Sequence, residues 1–416
     1  MKIAIIGSGI SGLTAAYILN RTHDITMFEQ NDYVGGHTHT HDLECDGKKL
    51  AVDSGFIVYN ERTYPNFINL LDQLGVKCQQ TRMGFSVKSE IHNLEYAGHS
   101  LNGLFACRSN LFKPSFIKML LSMLRFNKNA HDDLDVIDPD TTLGEYLNDN
   151  NYPDEFINNY IIPIGAAIWS TVPTDLMNIP AIFFIRFFEN HGLLQIVDRP
   201  KWWVVKGGSK RYVEKMISNF KEKIRLSTPV KKVKRDEKKV MVTFGLNNQH
   251  AESFDAVVFA THSTQSLELL DQPTEAEVEI LGAIPYQKND ALLHYDDSIL
   301  PKRKLAWASW NYLLDQNQKK PVALTYNMNI LQGLTCTKTF CVTLNSENRV
   351  NPEKVIKYLS YEHPLFTLEG IKAQKRKHEI SGVNNTYYCG AYWQNGFHED
   401  GVVSALDVCS HFGETL

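Results

Sequence analysis

The sequence has no paired cysteines, no long apolar run and no strong charge of either sign. Its seven cysteines stand singly without Cys-x-x-Cys spacing, which indicates reduced thiols and a cytoplasmic protein. The formal net charge of −4 gives no electrostatic reason to expect a nucleic-acid partner. No uninterrupted apolar run is long enough to span a bilayer, and three glycines interrupt the apolar N-terminus, so we do not interpret it as a signal peptide.

The first 29 residues have the pattern of a nucleotide-binding β-α-β unit. Residues 3–6 form a continuous apolar run, as expected of a parallel strand that is buried on both faces. In the turn that follows, Gly7 permits a sharp bend, Gly9 lets backbone amides approach a pyrophosphate, and Gly12 allows close packing of helix and strand. A second apolar run ends at Glu29, which can bind a ribose hydroxyl, and no arginine follows to favour a 2′-phosphate.

The rest of the chain alternates between two patterns, which predicts two interleaved domains. We expect residues 1–77, 200–275 and 380–416 to form the nucleotide-binding domain and residues 78–199 and 276–379 to form the substrate domain. Within the substrate part, residues 142–145 have the pattern of a helix-capping box. The Gly-x-Gly-x-x-Gly motif occurs once, which favours one extended FAD over a flavin reductase with a second site for NAD(P)H.

Three separated blocks, residues 7–38, 229–260 and 388–402, resemble the flavin-containing amine oxidase superfamily. This superfamily includes monoamine oxidases, protoporphyrinogen oxidase and phytoene-type desaturases. Residues 35–40 and 52–65 look like one bacterial subgroup, described only as predicted NAD/FAD-binding proteins. The resemblance implies an α/β fold, in which a Rossmann-like FAD-binding domain (GR2-type) is interleaved with an α+β substrate domain.

The resemblance also implies which residues hold FAD. They are Gly7, Gly9, Ile10, Ser11 and Gly12 at the pyrophosphate, Glu29 and Gln30 at the ribose, Gly35, Gly36, His37 and Thr38 at the pyrophosphate and ribityl chain, Val230 at the adenine, and Ser54, Gly55, Phe56, Gly390, Asp400, Gly401 and Val402 around the flavin. The last helix, expected to start near Gly401, would direct its N-terminus at the flavin and stabilise negative charge on the reduced ring.

This chain departs from the family pattern at several positions. His37 stands where the family usually has arginine, which weakens or replaces one cation at the pyrophosphate. Residues 391–392 are Ala-Tyr where an acidic residue usually follows the glycine of the third block. Residues 395–400 contain no cysteine for a covalent thioether, so we expect FAD to be bound non-covalently.

Alternating histidines raise the question of a metal site. On a strand, His37, His39 and His41 would share one face, as metal ligands often do. We predict no metal, because His37 replaces the cofactor-binding arginine of the family and the other two are explained as polar strand residues.

Three residues are candidates for catalysis. Lys288 lies where many amine oxidases have a lysine that bonds through water to flavin N5, and desolvation could make such a lysine a proton acceptor. The alternative is an ordinary surface lysine. His294 is a rival on the same predicted strand, and Tyr392 lies with Trp393 and Phe397 in the expected flavin loop.

Two apolar helices predict a small hydrophobic, lipid-like substrate. Residues 111–126 combine Leu, Phe, Ile and Met with a basic edge, a pattern that also suits shallow contact with the inner face of a membrane. Residues 182–188 are unusually aromatic. We therefore expect hydride transfer to flavin during dehydrogenation or desaturation. Two alternatives stay open: a true amine oxidase that gives imine and then aldehyde, and a non-catalytic flavin-binding protein.

Overall fold

A computed structural model describes residues 1–195, 198–236, 238–245, 250–314 and 323–416. The strands of these ranges are β1 (Lys2–Ile6), β2 (Asp24–Phe28), β3 (Thr40–Cys45), β4 (Lys48–Asp53), β5 (Tyr59–Asn60), β6 (Cys78–Thr81), β7 (Phe85–Ser89), β8 (Leu94–Ala97), β9 (Trp202–Val205), β10 (Ile224–Arg225), β11 (Val230–Arg235), β12 (Val240–Phe244), β13 (His250–Phe254), β14 (Ala256–Phe259), β15 (Tyr286–His294), β16 (Trp310–Leu314), β17 (Ala323–Asn327), β18 (Cys341–Leu344), β19 (Val355–Pro364) and β20 (Thr386–Tyr388).

The α-helices of the same ranges alternate with these strands. They are α1 (Ile10–Leu19), α2 (Pro65–Gln73), α3 (Leu101–Leu104), α4 (Pro114–Asp133), α5 (Leu143–Asp149), α6 (Asp154–Phe156), α7 (Ile162–Trp169), α8 (Pro173–Met177), α9 (Ala181–Asn190), α10 (Lys210–Met216), α11 (Ser263–Leu269), α12 (Glu275–Gly282), α13 (Met328–Gln332), α14 (Leu368–Gln374) and α15 (His398–Ser410). A π-helical turn, Ile157–Ile161, joins α6 to α7. Pro163, which has no N–H to donate into the α-helical ladder, lies just after it.

A five-stranded parallel sheet with the order β10-β2-β1-β14-β20 carries the glycine-rich turn. Ile3 and Ile5 of β1 point into one apolar core, which α1 and α15 cover, and Ala4 and Ile6 point into another on the opposite face. Burial on both faces explains the continuous apolar run. Because β1, β14 and β20 come from distant parts of the chain, the sheet is assembled across the substrate segments, which confirms the predicted α/β fold with interleaved parts.

A seven-stranded mixed sheet with the order β19-β15-β18-β17-β16-β7-β8 forms the second part. Helices α4 to α9 pack on it around a core that contains many aromatic side chains. Strands β6 to β8 occupy the start of segment 78–199, whose pattern of Phe, Met, Leu and Ile predicts helices. Their short segments pair with β9 and β16, so long-range pairing outweighs the local pattern. The predicted domain boundaries stay a prediction.

Three helix predictions can be compared with the structure. The box formed by Thr142 and Glu145 is confirmed, and α9 covers the predicted segment 182–188. The helix predicted at residues 111–126 begins later and ends later than expected. Residues 108–112 form a 3₁₀ turn, and Pro114, which needs no hydrogen-bond acceptor at the first helical position, starts α4. No helix in the described parts of the chain has the length and apolarity needed to cross a membrane.

The last helix begins at His398, so the predicted start near Gly401 is wrong. Asp400 occupies the third helical position, and its carboxylate accepts a hydrogen bond from the backbone N–H of Phe397, the N-cap residue. Asp400 therefore caps the helix from inside its first turn. Gly401 and Val402 lie in that same turn, so they stay close to the N-terminus of the helix.

Candidate functional site: a dinucleotide cradle

The glycine-rich turn connects β1 to α1 and leaves open space above Gly9. Gly7 has a φ of +100°, and a Cβ on Gly12 would lie 2.0 Å from the carbonyl oxygen of Gly7, so both positions require glycine. Gly9 is the N-cap of α1, and no described atom lies within 4 Å of a Cβ built on it. This opening lies where the free amides of Ile10 and Ser11 begin the helix, so a phosphate fits there.

Glu29 is held in place at the end of β2. Its side chain is 6% exposed and accepts hydrogen bonds from the Ser8 amide at 3.0 Å, the Ser8 hydroxyl at 2.6 Å and the Asn31 amide at 2.8 Å. These contacts orient the carboxylate while leaving it lone pairs for ribose hydroxyls. Gln30 next to it is exposed, and Val230 starts β11 nearby, after a loop whose Thr228 amide donates to the Glu29 carbonyl.

A second glycine loop rests on the first. The amide of Gly35 donates to the carbonyl of Ser8 at 3.0 Å, and a Cβ on Gly36 would lie 3.1 Å from the Cα of Gly9. The 54–56 segment packs on the same loop, because a Cβ on Gly55 would lie 2.0 Å from the His37 carbonyl oxygen. The structure therefore brings the predicted segments 7–12, 35–38 and 54–56 together.

The N-terminus of α15 meets the N-terminus of α1. A Cβ on Gly401 would lie 2.7 Å from Cγ2 of Ile10 and 2.9 Å from the Ser11 hydroxyl, so glycine permits this close approach. Two helix ends with positive dipole character therefore converge on the cradle, an arrangement that favours a bound anion. Gly390 lies at the end of β20, with its amide donating to Ser404 of α15.

Four side chains that the sequence did not reveal complete the cradle. They are Tyr212, Tyr361, His363 and His398. His37 is half-buried and its ring lies between those of Tyr361 and His363, with ring centroids 5.1 and 5.5 Å away. His398 stacks on Phe56 and has its Nε2 3.1 Å from the hydroxyls of Thr38 and Tyr212. The only local signal for His398 was the start of the last helix, which we placed three residues too late.

His37 and His363 are neutral at physiological pH. Burial, aided by the neighbouring His262, lowers the pKa of His37 to about 4. Burial also lowers the pKa of His363 to about 3, and proximity to His37 adds to the effect. His37 Nε2 has no hydrogen-bond partner among the described residues. A neutral ring with a free nitrogen can exchange a hydrogen bond with a cofactor.

The alternating histidines do not share one strand face. β3 begins at Thr40, so His37 and His39 precede it, and His37 turns toward Tyr361. The His39 ring is tilted against the His41 ring with centroids 4.2 Å apart, and Nε2 of His41 lies 2.8 Å from the Ser54 hydroxyl. Across the described ranges, no group of three or more His, Cys, Asp or Glu side chains is arranged to hold a metal ion.

The three candidates for catalysis lie in separate places. Lys288 has a side chain that is 64% exposed and pairs with Asp290 at 3.0 Å. His294 is completely buried, with Nε2 2.7 Å from the Thr343 hydroxyl and Nδ1 accepting from the Asp296 amide. Tyr392 is buried against Trp393. Their catalytic roles stay predictions, and the structure does not bring them together.

Comparison with known proteins identifies the family. A family model for flavin-containing amine oxidoreductases matches residues 10–296. The chain belongs to this family. It is 23% identical over 280 residues to L-amino-acid oxidase BmooLAAO-I of Bothrops moojeni, a match covering 65% of this chain and 54% of that protein. The chain thus spans about half the length of the curated relatives it matches.

Solved structures share the fold over nearly the whole chain. Cyclohexylamine oxidase from Brevibacterium oxydans superposes with a TM-score of 0.69 over 99% of both chains, at 14% identity. A CLA-producing fatty acid isomerase from P. acnes superposes with a TM-score of 0.67 over 99% of this chain and 98% of that chain, at 16% identity. At such identities the likeness shows the fold alone. The family and the fold predicted from the three sequence blocks are confirmed.

Proposed function

We propose that the protein is an FAD-dependent oxidoreductase that dehydrogenates or desaturates a hydrophobic, lipid-like substrate. Membership of a flavin-containing family supports the cofactor class. The observation that carries the substrate class is an aromatic cluster between the substrate helices and the start of α15. Phe397 stacks with Phe187 of α9 at 5.3 Å, and Phe187 lies 4.9 Å from Trp169.

The cradle fits non-covalent FAD. Gly9 leaves room for a pyrophosphate at the N-terminus of α1, and Glu29 is oriented for a ribose. The 54–56 segment and the start of α15 would hold the flavin end. Cys389, the cysteine nearest to the expected flavin loop in the sequence, is completely buried in the core beneath the parallel sheet. A covalent thioether from that position would require the sulfur to leave the core.

Bound FAD would supply the ring that accepts a hydride equivalent from the substrate. The protein's own residues would then orient the two partners and exclude water. Stacked Phe56 and His398 are positioned to support one side of the cradle, and the α15 N-terminus favours negative charge there. His37, neutral and with Nε2 free, would exchange a hydrogen bond without adding charge.

The acidic residues at the start of α15 are already engaged in structural contacts. Glu399 accepts hydrogen bonds from the Asn66 amide and side chain and from the Phe67 amide. Asp400 accepts from the Phe397 amide. An ammonium substrate needs an unengaged acidic anchor, whereas a hydrocarbon chain needs only apolar contacts. The aromatic cluster beside these engaged carboxylates therefore favours a hydrocarbon substrate over an amine.

Anaerobic titration of the purified flavoprotein tests the proposal. We expect long-chain fatty acids or phospholipids to bleach the visible flavin band, and cyclohexylamine and L-leucine to leave it unchanged. Bleaching by the amines alone would establish the amine oxidase alternative. A flavin band that persists with every compound in a panel of lipids and amines would favour a non-catalytic flavin-binding protein.

A matched pair of variants connects the titration to the aromatic cluster. Phe183 is half-buried on α9 and stacks with Phe366 at 5.1 Å. Phe105 is also half-buried at the margin of the same core but packs against Phe116 instead. We expect Phe183→Ala to raise the lipid concentration needed for half-bleaching and Phe105→Ala to leave it unchanged. Equal effects of the two variants would contradict a substrate site at the aromatic cluster beside α9.

A further inference from the structure

An exposed apolar ridge lies on the substrate domain, away from the cradle. Six of the large apolar side chains that are exposed in the described residues fall within residues 101–124: Leu101, Leu111, Phe112, Ile117, Leu121 and Leu124. Phe112 is 86% exposed, Leu101 77% and Leu121 62%. The other exposed apolar side chains are scattered over the described chain. A concentration of this kind marks a surface that is covered in use.

Helix α4 is apolar on two opposite faces. Phe116, Met119 and Phe126 point into the domain core. Ile117, Leu121 and Leu124, spaced by four and three residues, form a stripe on the solvent side. The inner face of α4 already packs on the rest of the domain. Folding of the domain therefore does not require the outer face to be apolar. The stripe needs a partner of its own.

The ridge has a basic rim. Residues 101–131 contain five basic residues, Arg108, Lys113, Lys118, Arg125 and Lys128, and no Asp or Glu. The acidic residues of α4, Asp132 and Asp133, are confined to its C-terminal end. An open groove of about 560 Å³ runs between the apolar residues and the first basic residues of α4. Positive charge at the edge of an apolar surface is the pattern of an interfacial helix that binds anionic lipid.

Most of the rim charge is not neutralised within the protein. Lys118 pairs with Glu155 at 3.0 Å. Lys113 and Arg125 instead donate to backbone carbonyls, Lys113 to Asn93 at 2.7 Å and Arg125 to residues 150 and 151 at 3.1 Å. These contacts orient the side chains and leave their charge available. A second copy of the chain would present the same positive rim, so charge repulsion disfavours a dimer through this surface.

We propose that this ridge docks the protein on an anionic lipid bilayer. Phe112 and Leu121 enter the boundary between headgroups and acyl chains, while Lys113, Arg125 and Lys128 contact lipid phosphates. The inner face of the same helix contacts the aromatic core, where the Phe126 ring lies 6.4 Å from that of Phe184 on α9. Docking therefore brings the substrate domain to the membrane surface. The inference does not depend on the proposed reaction.

Co-sedimentation of the flavoprotein with vesicles tests the docking surface. We expect binding to vesicles of phosphatidylcholine with phosphatidylglycerol at low salt, release at high salt, and little binding to pure phosphatidylcholine. Phe112→Glu with Leu121→Glu should reduce the bound fraction at least tenfold. Lys113→Gln with Lys128→Gln should weaken the partition coefficient by roughly fivefold per charge, since each basic residue near the surface contributes about 1 kcal/mol.

A matched control separates docking from general damage. Val383→Glu with Val278→Glu places the same charges at two other exposed apolar positions and should leave vesicle binding unchanged. Retained flavin and an unchanged circular dichroism spectrum would show that the Phe112→Glu with Leu121→Glu variant and the control variant are folded. Failure of the wild type to bind anionic vesicles would overturn the proposal. A dimer detected by light scattering that Phe112→Glu with Leu121→Glu dissociates would assign the ridge to a second copy instead.

Discussion

His398 lies flat on Phe56, with ring centroids 3.5 Å apart and ring planes 12° from parallel. His398 opens α15, and Phe56 belongs to the segment expected to approach the flavin, so the contact connects distant segments of the chain at the cradle. Burial, with a contribution from His37, lowers the pKa of His398 well below its usual value. The stack is therefore formed by two neutral rings at physiological pH.

Gly9→Val should abolish flavin retention without unfolding the protein. Gly9 has a φ of −67°, which valine tolerates, and its Cβ would meet no described atom within 4 Å. The added side chain would instead fill the space of the pyrophosphate. The measurement is the ratio of flavin to protein absorbance after purification, with FAD identified after denaturation. Gly98→Val, at another position with open space, is the control and should retain the cofactor. Wild-type flavin content in Gly9→Val would place the cofactor elsewhere.

His37 and His363 should lower the free energy of unfolding of the apoprotein as the pH falls. Histidine has a pKa of about 6.5 in the unfolded chain, whereas the pKa is about 4 for His37 and about 3 for His363 in the fold. Between these values the unfolded state binds more protons, so the free energy of unfolding is lost as the pH drops from about 6.5 toward 4. Asp53 and Asp400 act in the opposite direction, since burial raises their pKa to about 6 and about 7.

A double variant separates the contribution of the two histidines to the pH dependence of stability from that of Asp53 and Asp400. His37→Gln with His363→Gln should make the dependence of unfolding free energy on pH shallower by roughly two protons near pH 5. Denaturant unfolding of the apoprotein at a series of pH values measures the slope. His378→Gln, at an exposed position, is the control and should retain the wild-type slope. An unchanged slope in the double variant would show that the two rings are not buried as neutral groups.

Asp400→Ala should destabilise the start of α15. The carboxylate accepts the Phe397 amide at 2.8 Å, and losing such a cap costs about 1 kcal/mol of the free energy of unfolding. Asp400→Asn keeps an oxygen acceptor and should cost less. Denaturant unfolding measures the stability, and the flavin spectrum reports whether the helix end moves at the cofactor. Equal stability of Asp400→Ala and the wild type, with identical flavin spectra, would show that the Asp400 cap does not position this helix.

Lys288→Met tests the predicted catalytic lysine. Because the Lys288 side chain is mostly exposed and pairs with Asp290 at 3.0 Å, we expect the rate of substrate-dependent flavin reduction and its pH profile to stay at wild-type values. Stopped-flow absorbance under anaerobic conditions measures both quantities. A large fall in the rate, together with a shifted pH profile, would establish Lys288 as the proton acceptor and require the side chain to turn inward.

The sequence by itself determined the elements whose signals are local. The apolar run of β1, the spacing of Gly7, Gly9 and Gly12, and the acid at position 29 predicted the dinucleotide unit, because each constraint acts within one β-α-β segment. The capping box at 142–145 and helix α9 were predicted for the same reason. A proline at position 114 was a local signal too, and it explains why α4 starts later than its apolar pattern suggested.

Only the tertiary structure decided which side chains surround the cradle and which apolar face stays in solvent. His37 meets Tyr361 and His363 because β19 lies at the edge of a sheet assembled from remote segments. No periodicity near residue 37 carries that information. The outer stripe of α4 is apolar like the inner face, so pattern alone did not distinguish them. Packing buried Phe116 and left Leu121 exposed, since one side of the helix faces the aromatic core.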